Sequence, residues 1–253
     1  MDNFTFRGRD IAEFGAVAAF GESMRTGAKI QRSEYEMPGG GSVEIGEAAY
    51  RSTQRTVTIA PADGMSATPA WRRSILSWLQ GGRGALVEHG DPEVYRIAQF
   101  DTDGSYDWRT WPQGMLQLQM TLQPYAYAQR MTRASGATQD GACALELRME
   151  TGIPAPLTID IEAAGGTLTG LEIECGGETL ALSGLSIPEG GVLSYTAGEA
   201  DGSGAAVTED GLLTFEHVTR WALLKARGAA QIRVHTEGCE ANITARARCR
   251  YPA

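Results

Sequence analysis

Short stretches of alternating apolar and polar residues, separated by glycines, recur along this chain of 253 residues. The clearest occupies residues 116–122, with leucine or methionine at every second position. Such alternation places one side of a strand against a core and leaves the other side polar. The residues predicted to face the core are Leu116, Leu118, Met120 and Leu122, and those predicted to face away are Gln117, Gln119 and Thr121.

Similar stretches predict further strands, and many of the 32 glycines lie at the turns between them. The fold class is therefore mainly β. The other predicted strands occupy residues 4–6, 56–60, 85–88, 94–100, 157–161, 168–175, 179–182, 193–195, 212–215, 231–234 and 243–246.

One helix is predicted, over residues 68–80. Thr68 can cap its start, and Pro69 fits the first helical position, where its missing N–H costs nothing. Gly81 stands where a left-handed residue would end the helix. The residues that form one apolar stripe at helical spacing are Trp71, Ile75, Trp78 and Leu79.

Two domains are predicted, because 253 residues exceed one typical core. Residues 1–128 form the first, a β-sandwich or split barrel that carries the helix. Residues 129–141 are small and polar, which predicts a linker. Residues 142–253 contain short strands separated by glycines, which favours a β-sandwich.

The charge balance argues against two classes of partner. The chain has 31 acidic and 22 basic residues, a net charge of −9. Binding to nucleic acid or to an anionic membrane needs clustered Lys and Arg, so neither is expected as a partner. We also expect no signal peptide and no membrane-spanning segment, since no apolar run is long enough.

Motifs for chemistry are weak, and we expect no catalytic, cofactor-binding or metal-binding residues. Residues 38–42 (PGGGS) lack the Gly-Lys-Ser/Thr ending of a phosphate loop, so a turn is favoured. Residues 101–107 begin like a calcium loop, but glycine stands fourth rather than sixth, which favours a hairpin loop. The histidines His89, His217 and His235 are far apart in the sequence, and none lies in a recognisable catalytic motif.

Cysteines and tryptophans leave some alternatives open. Cys143, Cys175, Cys239 and Cys249 match no close-paired zinc spacing, so free and mostly buried thiols are expected. A disulfide formed after release from the cell is the alternative, ahead of zinc. Two tryptophans outside the helix, Trp108 and Trp111, could be exposed and anchor a partner, or they could pack against the helix.

The order of features in residues 1–128 resembles the distal tail protein family of long-tailed phages and related prophages. The resembling segments are residues 4–15, 37–43, 50–59, 78–84, 86–100 and 118–127. They match an aromatic pair before a glycine turn, a proline-glycine loop, a strand, a helix with a glycine-rich exit, a hairpin and a proline-aromatic ending. Residues 184–191 and 217–221 are similar to segments of the galectin-like sandwich that commonly follows in this family.

The resemblance implies a structural virion protein of the viral tail, not an enzyme. Six copies would form a homo-hexameric ring at the tail tip, assembled in the host bacterial cytoplasm. One face of the ring would bind the tail-tube (major tail) protein and the other a tail-associated hub or lysin protein. The resemblance also allows a receptor-binding protein as a partner and a role in host attachment. Exposed strand edges are natural joints for such a ring.

Two rival classes remain open on the sequence. One is a non-catalytic carbohydrate-binding module with aromatic platforms at Trp108 and Trp111; the other is an enzyme whose site no motif reveals. A module is expected to be monomeric, whereas a tail ring is expected to be hexameric.

A ring through which DNA passes without specific binding should have a neutral or acidic bore, because a basic wall would bind phosphates. The carboxylates expected to contribute are Glu34, Glu36, Glu44, Glu47, Asp101 and Asp103. A bore lined instead by arginines would contradict that hypothesis. The arginines concerned are Arg51, Arg55, Arg83 and Arg96.

Overall fold

The computed structural model describes residues 2–21, 29–31, 34–36, 42–44, 49–102, 114–198 and 204–252. These residues are mainly in β-strands, as predicted, and they include a curled half-barrel sheet. The contacts divide the chain into two compact units. The first unit comprises Met1–Gln129 and Tyr251–Ala253, and the second comprises Arg130–Arg250.

The first unit is built on an eight-stranded sheet with the order β2-β1-β9-β10-β11-β8-β3, in which β24 also pairs with β11. Two further pairs of strands, β4 with β7 and β5 with β6, form separate two-stranded sheets. The strands are β1 (Phe4–Phe6), β2 (Arg9–Asp10), β3 (Ala16–Phe20), β4 (Lys29–Gln31), β5 (Glu34–Glu36), β6 (Ser42–Glu44), β7 (Ala49–Arg51), β8 (Thr53–Pro61), β9 (Gly84–Glu88), β10 (Val94–Asp101), β11 (Leu116–Ala128) and β24 (Arg250–Pro252).

The alternation in residues 116–122 has the predicted outcome. The leucines and the methionine of this stretch are buried, and the glutamines and the threonine are exposed. The strand pairs with β10 on one side and β8 on the other. A central strand needs one apolar face, and this pattern supplies it.

A single α-helix lies among the described residues, α1 (Pro69–Leu79), and a short 3-10 helix (Ile11–Phe14) precedes β3. The Thr68 hydroxyl accepts a hydrogen bond from the Trp71 N–H at 3.2 Å, which confirms the predicted cap. All four residues of the predicted stripe are buried.

The helix ends within the predicted range, but the glycine predicted to be left-handed was wrong by one residue. The cap residue is Gln80, in right-handed conformation, and Gly82 has the left-handed backbone, with φ of 85°. Gly81 instead makes room for Arg7: a Cβ at Gly81 would lie 1.5 Å from the Arg7 Nη1. That Nη1 donates to the Gly81 carbonyl at 2.5 Å.

Aromatic rings fill the core beneath the helix. Trp78 stacks on Phe14 with 4.5 Å between ring centroids and on Phe4 with 5.7 Å. Phe100 packs edge-on against Phe6 at 4.9 Å. The apolar stripe of the helix therefore packs against the strands at the start of the chain.

The second unit has two sheets, in the arrangement of a β-sandwich. One has the order β12-β23-β14-β17-β18-β19, with β21 also paired to β14, and the other has the order β13-β22-β15-β16-β20. The strands are β12 (Thr132–Ala137), β13 (Ala142–Arg148), β14 (Ala155–Ala164), β15 (Leu168–Cys175), β16 (Glu178–Ile187), β17 (Val192–Thr196), β18 (Ala206–Glu209), β19 (Leu212–Leu213), β20 (Val218–Arg220), β21 (Lys225–Ala226), β22 (Ala229–Glu237) and β23 (Glu240–Ala247).

The segment predicted as a linker, residues 129–141, contains β12 instead, which pairs with β23 along its full length. Small residues hid this strand, because they give no apolar alternation. Gly136 shows why they are needed: a Cβ there would lie 2.8 Å from the Leu145 side chain. The end of the chain also differs from the predicted division, since Tyr251–Ala253 belong to the first unit.

Candidate functional site

The three histidines lie in separate elements. His89 contacts the Asp10 carboxylate at 2.7 Å, and His217 lies 3.8 Å from the Glu216 carboxylate. His235 lies on β22 and is exposed. No group of three or more His, Cys, Asp or Glu residues within the described ranges could hold a metal ion.

Several sequence candidates lie outside the described residues. These include most of the glycine loop, the two tryptophans proposed as platforms, and two of the carboxylates proposed for the bore. Asp101 is described, at the exposed end of β10. The candidates outside the described residues are residues 38–41, Asp103, Glu47, Trp108 and Trp111.

Two of the arginines considered for the bore are engaged by one carboxylate. Arg55 is 6% exposed, and its Nη1 donates to Glu88 Oε1 at 2.9 Å. Arg96 donates to the same oxygen at 2.7 Å. Burial lowers the pKa of Arg55, and the Glu88 carboxylate opposes that shift. Arg55 is therefore a core cation beneath the sheet surface, packed over the Phe20 ring at 5.0 Å.

The four cysteines of the second unit are free thiols. Cys175 and Cys249 are buried, while Cys143 and Cys239 are half-buried. Burial raises the pKa of Cys143, Cys175 and Cys239, which keeps these thiols protonated and unreactive.

A groove of about 440 Å³ lies on the outer face of the five-stranded sheet. The strand register explains its lining. Glu172 on β15 is opposite His235 on β22, and Glu174 is opposite Arg233 two residues away. Each acidic residue of β15 thus faces a basic or titratable residue of β22.

Small side chains on the neighbouring strand open this groove. Ala142 and Ala144 of β13 stand next to His235 and Arg233 in the register. The Arg233 Nη1 donates to the Glu174 carboxylate at 3.3 Å, and both side chains are substantially exposed. The groove offers hydrogen-bond donors and acceptors side by side, an arrangement suited to a polar ligand.

Sequence reasoning missed this groove. A signal was present, since Glu172 and Glu174 are two residues apart on one predicted strand and so share a face. His235 follows the predicted strand at residues 231–234 and is likewise two residues from Arg233. The sequence does not reveal that β15 and β22 are neighbours, because Glu174 and Arg233 are 59 residues apart along the chain. The pairing brings the four side chains together.

None of the helices in the described part of the chain is both long and apolar enough to cross a membrane.

Comparison with known proteins gives a match at the level of structure. No family model matches the chain, and no curated protein matches its sequence. The fold is similar to that of the SPP1 Dit protein, described as a paradigm of the hub adsorption apparatus in phages infecting Gram-positive bacteria. The TM-score is 0.65 at 10% identity, and the match covers 99% of both chains. The phage P2 baseplate in its activated conformation with Ca also matches, with a TM-score of 0.49 at 9% identity, covering 99% of both chains. The SPP1 match agrees, in fold, with the resemblance of the sequence to phage distal tail proteins.

Proposed function

We propose that this chain is a structural protein of a phage tail tip, forming a homo-hexameric ring that joins the tail tube to the hub. The observation that carries the proposal is the shared fold with the SPP1 Dit protein over 99% of both chains. The sequence resemblance points to the same class independently, because it rests on ordered motifs in residues 1–128. On this proposal the protein is a virion component without catalytic activity.

Strand edges in the first unit suggest how a ring could close. The β3 edge is partly covered, since Ala18 donates to the Asn3 side chain and its carbonyl accepts from the Asp2 N–H. The pairs β4–β7 and β5–β6 each join only two strands among the described residues. Two-stranded pairs are marginal alone. We therefore propose that β4, β5, β6 and β7 form the contact between neighbouring protomers.

Light scattering of the full-length protein, followed by electron microscopy of the same sample, tests the ring. The expected result is a mass six times that of the monomer and a six-fold ring with a central opening. A monomer across the whole concentration range, with no ring in images of isolated tails, contradicts the proposal.

The bore of the proposed ring is expected to be neutral or acidic. The engagement of Arg55 and Arg96 by Glu88 supports this, because Glu88 offsets one of their two positive charges and Arg55 is buried within the unit. A cryo-electron map of an assembled tail tip tests it. A bore lined by Arg51 and Arg83 would contradict the hypothesis that DNA passes through a neutral or acidic bore, but it would not contradict the hexameric ring.

A second candidate function, saccharide binding by a galectin-like second unit, is favoured by the groove on the five-stranded sheet. Paired donors and acceptors such as Arg233 and Glu174 suit vicinal hydroxyl groups. A glycan array with the full-length protein tests this, with Glu174→Gln and Arg233→Gln as variants. Binding that both variants abolish supports it, and an array without signal contradicts it.

A further inference from the structure

The edge strand β13 of the five-stranded sheet leaves one side of its backbone open. It pairs with β22 along its whole length, and no other described strand pairs with it. Edge strands are commonly protected by being short, by a proline or by a bulge. β13 has seven residues, no proline and an unbroken register, so this edge can accept a further strand.

Hydrogen bonds show which backbone groups point to the open side. Met149, which follows β13, donates its N–H to the Gly228 carbonyl just before β22 at 2.7 Å. Residues alternate in an antiparallel pair, so the even-numbered residues of β13 point away from β22. Ala142 agrees with this, because its N–H and carbonyl both bond Gln139. The outward residues that have no backbone partner in the described part of the chain are Ala144, Glu146 and Arg148.

Two side chains of opposite charge lie on the outer face of this edge. The Arg148 Nε donates to the Glu146 carboxylate at 2.5 Å, and the two side chains are 83% and 40% exposed. An ion pair this exposed contributes little to stability. Exchanging it for an equivalent pair between two chains therefore costs little.

The total charge near the edge does not select a partner. Residues 130–150, which contain β12 and β13, have three basic and three acidic side chains, namely Arg130, Arg133 and Arg148 against Asp140, Glu146 and Glu150. The neighbouring strands and their ends add Arg227, Arg233 and His235 against Glu172, Glu174 and Glu237. What distinguishes the edge is the order of its charges, which is acidic at 146, basic at 148 and acidic at 150.

Two copies of β13 can pair antiparallel about a two-fold axis, and the position of the axis decides which charges meet. An axis at residue 146 or 148 places Glu146 opposite the partner's Glu146 or Arg148 opposite the partner's Arg148, and like charges directly opposite each other are unfavourable. An axis at residue 145 brings the partner's Arg148 against Ala142, whose outward groups already bond Gln139. An axis at Leu147 places Glu146 opposite the partner's Arg148 on both sides.

In this last register the outward groups of both charged residues find partners. Glu146 and the partner's Arg148 exchange both backbone hydrogen bonds, as the closely spaced residues of an antiparallel pair do. Ala144 stands opposite the partner's Glu150, with Arg233 next to Ala144 on β22. The charge order of the strand is thus complementary to itself, which favours a second copy over a strand of another protein.

We propose that two copies of this chain associate through β13 about a two-fold axis at Leu147, so that their five-stranded sheets become one continuous sheet. The contact lies on the second unit and does not depend on a role at the tail tip. A ring closes through heterologous contacts, whereas this contact is isologous. It therefore joins one ring to a second ring, or one free chain to another.

Light scattering of the full-length protein and its charge variants tests the contact. At about 100 μM, well above a micromolar Kd, the parent should have twice the mass of Arg148→Glu. Arg148→Glu and Glu146→Arg each place like charges opposite each other, so both should lose the doubling. The first unit sets the mass of these variants, six chains if the ring forms. A failure of the ring and a failure of this contact therefore give different results.

Two restorations separate the charge order from a folding defect. The double variant Glu146→Arg/Arg148→Glu reverses the order and should regain the doubled mass. An equimolar mixture of the two single variants should also regain it, because each then meets opposite charges. Arg220→Glu, on β20 at the other edge of the same sheet, is the matched control and should keep the doubled mass. Hydrogen exchange at the Glu146 and Arg148 amides of the parent should slow as its concentration rises.

Three outcomes overturn the proposal. The first is one mass for the parent and all variants across the concentration range; protection of the Glu146 amide in isolated tails would then assign the edge to a strand of another protein. The second is a doubled mass that both single variants retain. The third is that neither the double variant nor the mixture regains the doubled mass.

Discussion

The indole Nε1 of Trp78 donates a hydrogen bond of 3.2 Å to the backbone carbonyl of Phe6. The Trp71 indole makes the equivalent bond to the Phe14 carbonyl at 2.9 Å. The helix is thus attached to the first residues of the chain by polar contacts as well as by its apolar stripe.

Replacing Trp78 with alanine should destabilise the first unit by about 3–5 kcal/mol, the usual cost of removing a large buried aromatic. Trp78→Phe keeps most of the packing but loses the bond to Phe6, so it should cost less. Ser77→Ala, on the exposed face of the same helix, is the control. Urea unfolding followed by fluorescence measures all three, and a loss below about 1 kcal/mol for the alanine variant contradicts the packing.

The helix and the strand at residues 116–122 were predictable because their signals are local. Thr68, the apolar stripe and the alternating leucines each depend on neighbours within a few residues, and the structure confirms them. Gly82 shows the limit of this reasoning. Two adjacent glycines both suit a helix end; Gly81 lies against Arg7, and Gly82 has the left-handed backbone.

The groove and the exposure of Leu212 and Leu213 depend on pairing between distant strands, which local patterns do not encode. Residues 212–215 were correctly predicted to contain a strand, yet whether Leu212 and Leu213 are covered depends on β19 being last in its sheet. The strand Thr132–Ala137 was missed for a different reason. Its small residues show no alternation of apolar and polar side chains, although all of its residues pair with β23.

The two glycines after the helix should respond differently to alanine. Gly82→Ala places a side chain at a φ of 85°, which should cost about 1–2 kcal/mol. Gly81→Ala meets the Arg7 guanidinium, a flexible group that can move, so its main effect is loss of the bond to the Gly81 carbonyl. In an Arg7→Ala background Gly81→Ala should become nearly neutral, and Gly82→Ala should not. Equal effects of Arg7→Ala on both would contradict this assignment.

Glu88 should matter more to stability than either arginine that it binds. Glu88→Ala leaves the Arg55 guanidinium, 6% exposed, without this carboxylate and beside Arg96, at a cost of about 3 kcal/mol. Arg55→Met removes the buried charge and leaves Glu88 bound to Arg96, so it should cost less. Thermal unfolding in matched buffers compares the two. The reverse order would show that Arg55 stabilises the sheet by packing over Phe20 rather than by its charge.

Tyr195 should make the second unit sensitive to high pH. Burial raises the pKa of its hydroxyl from 10.0 to about 12. The neutral hydroxyl bonds the Ala222 carbonyl and the Leu224 N–H, so Tyr195→Phe should cost about 1–3 kcal/mol at neutral pH by leaving both unsatisfied.

The direction of the pH dependence follows from the raised pKa of Tyr195 in the folded protein. A folded-state pKa above the unfolded one gives stability that is fully present below pH 10 and is lost as pH rises towards about 12. The advantage of the parent over Tyr195→Phe should therefore shrink by about 1.4 kcal/mol at about pH 11, one pKa unit. Calorimetry of both proteins at neutral and high pH measures the difference. Tyr95→Phe, in the first unit, is the matched control. A parent-variant difference that stays constant with pH would show that the Tyr195 hydroxyl ionises as readily in the folded protein as in the unfolded chain.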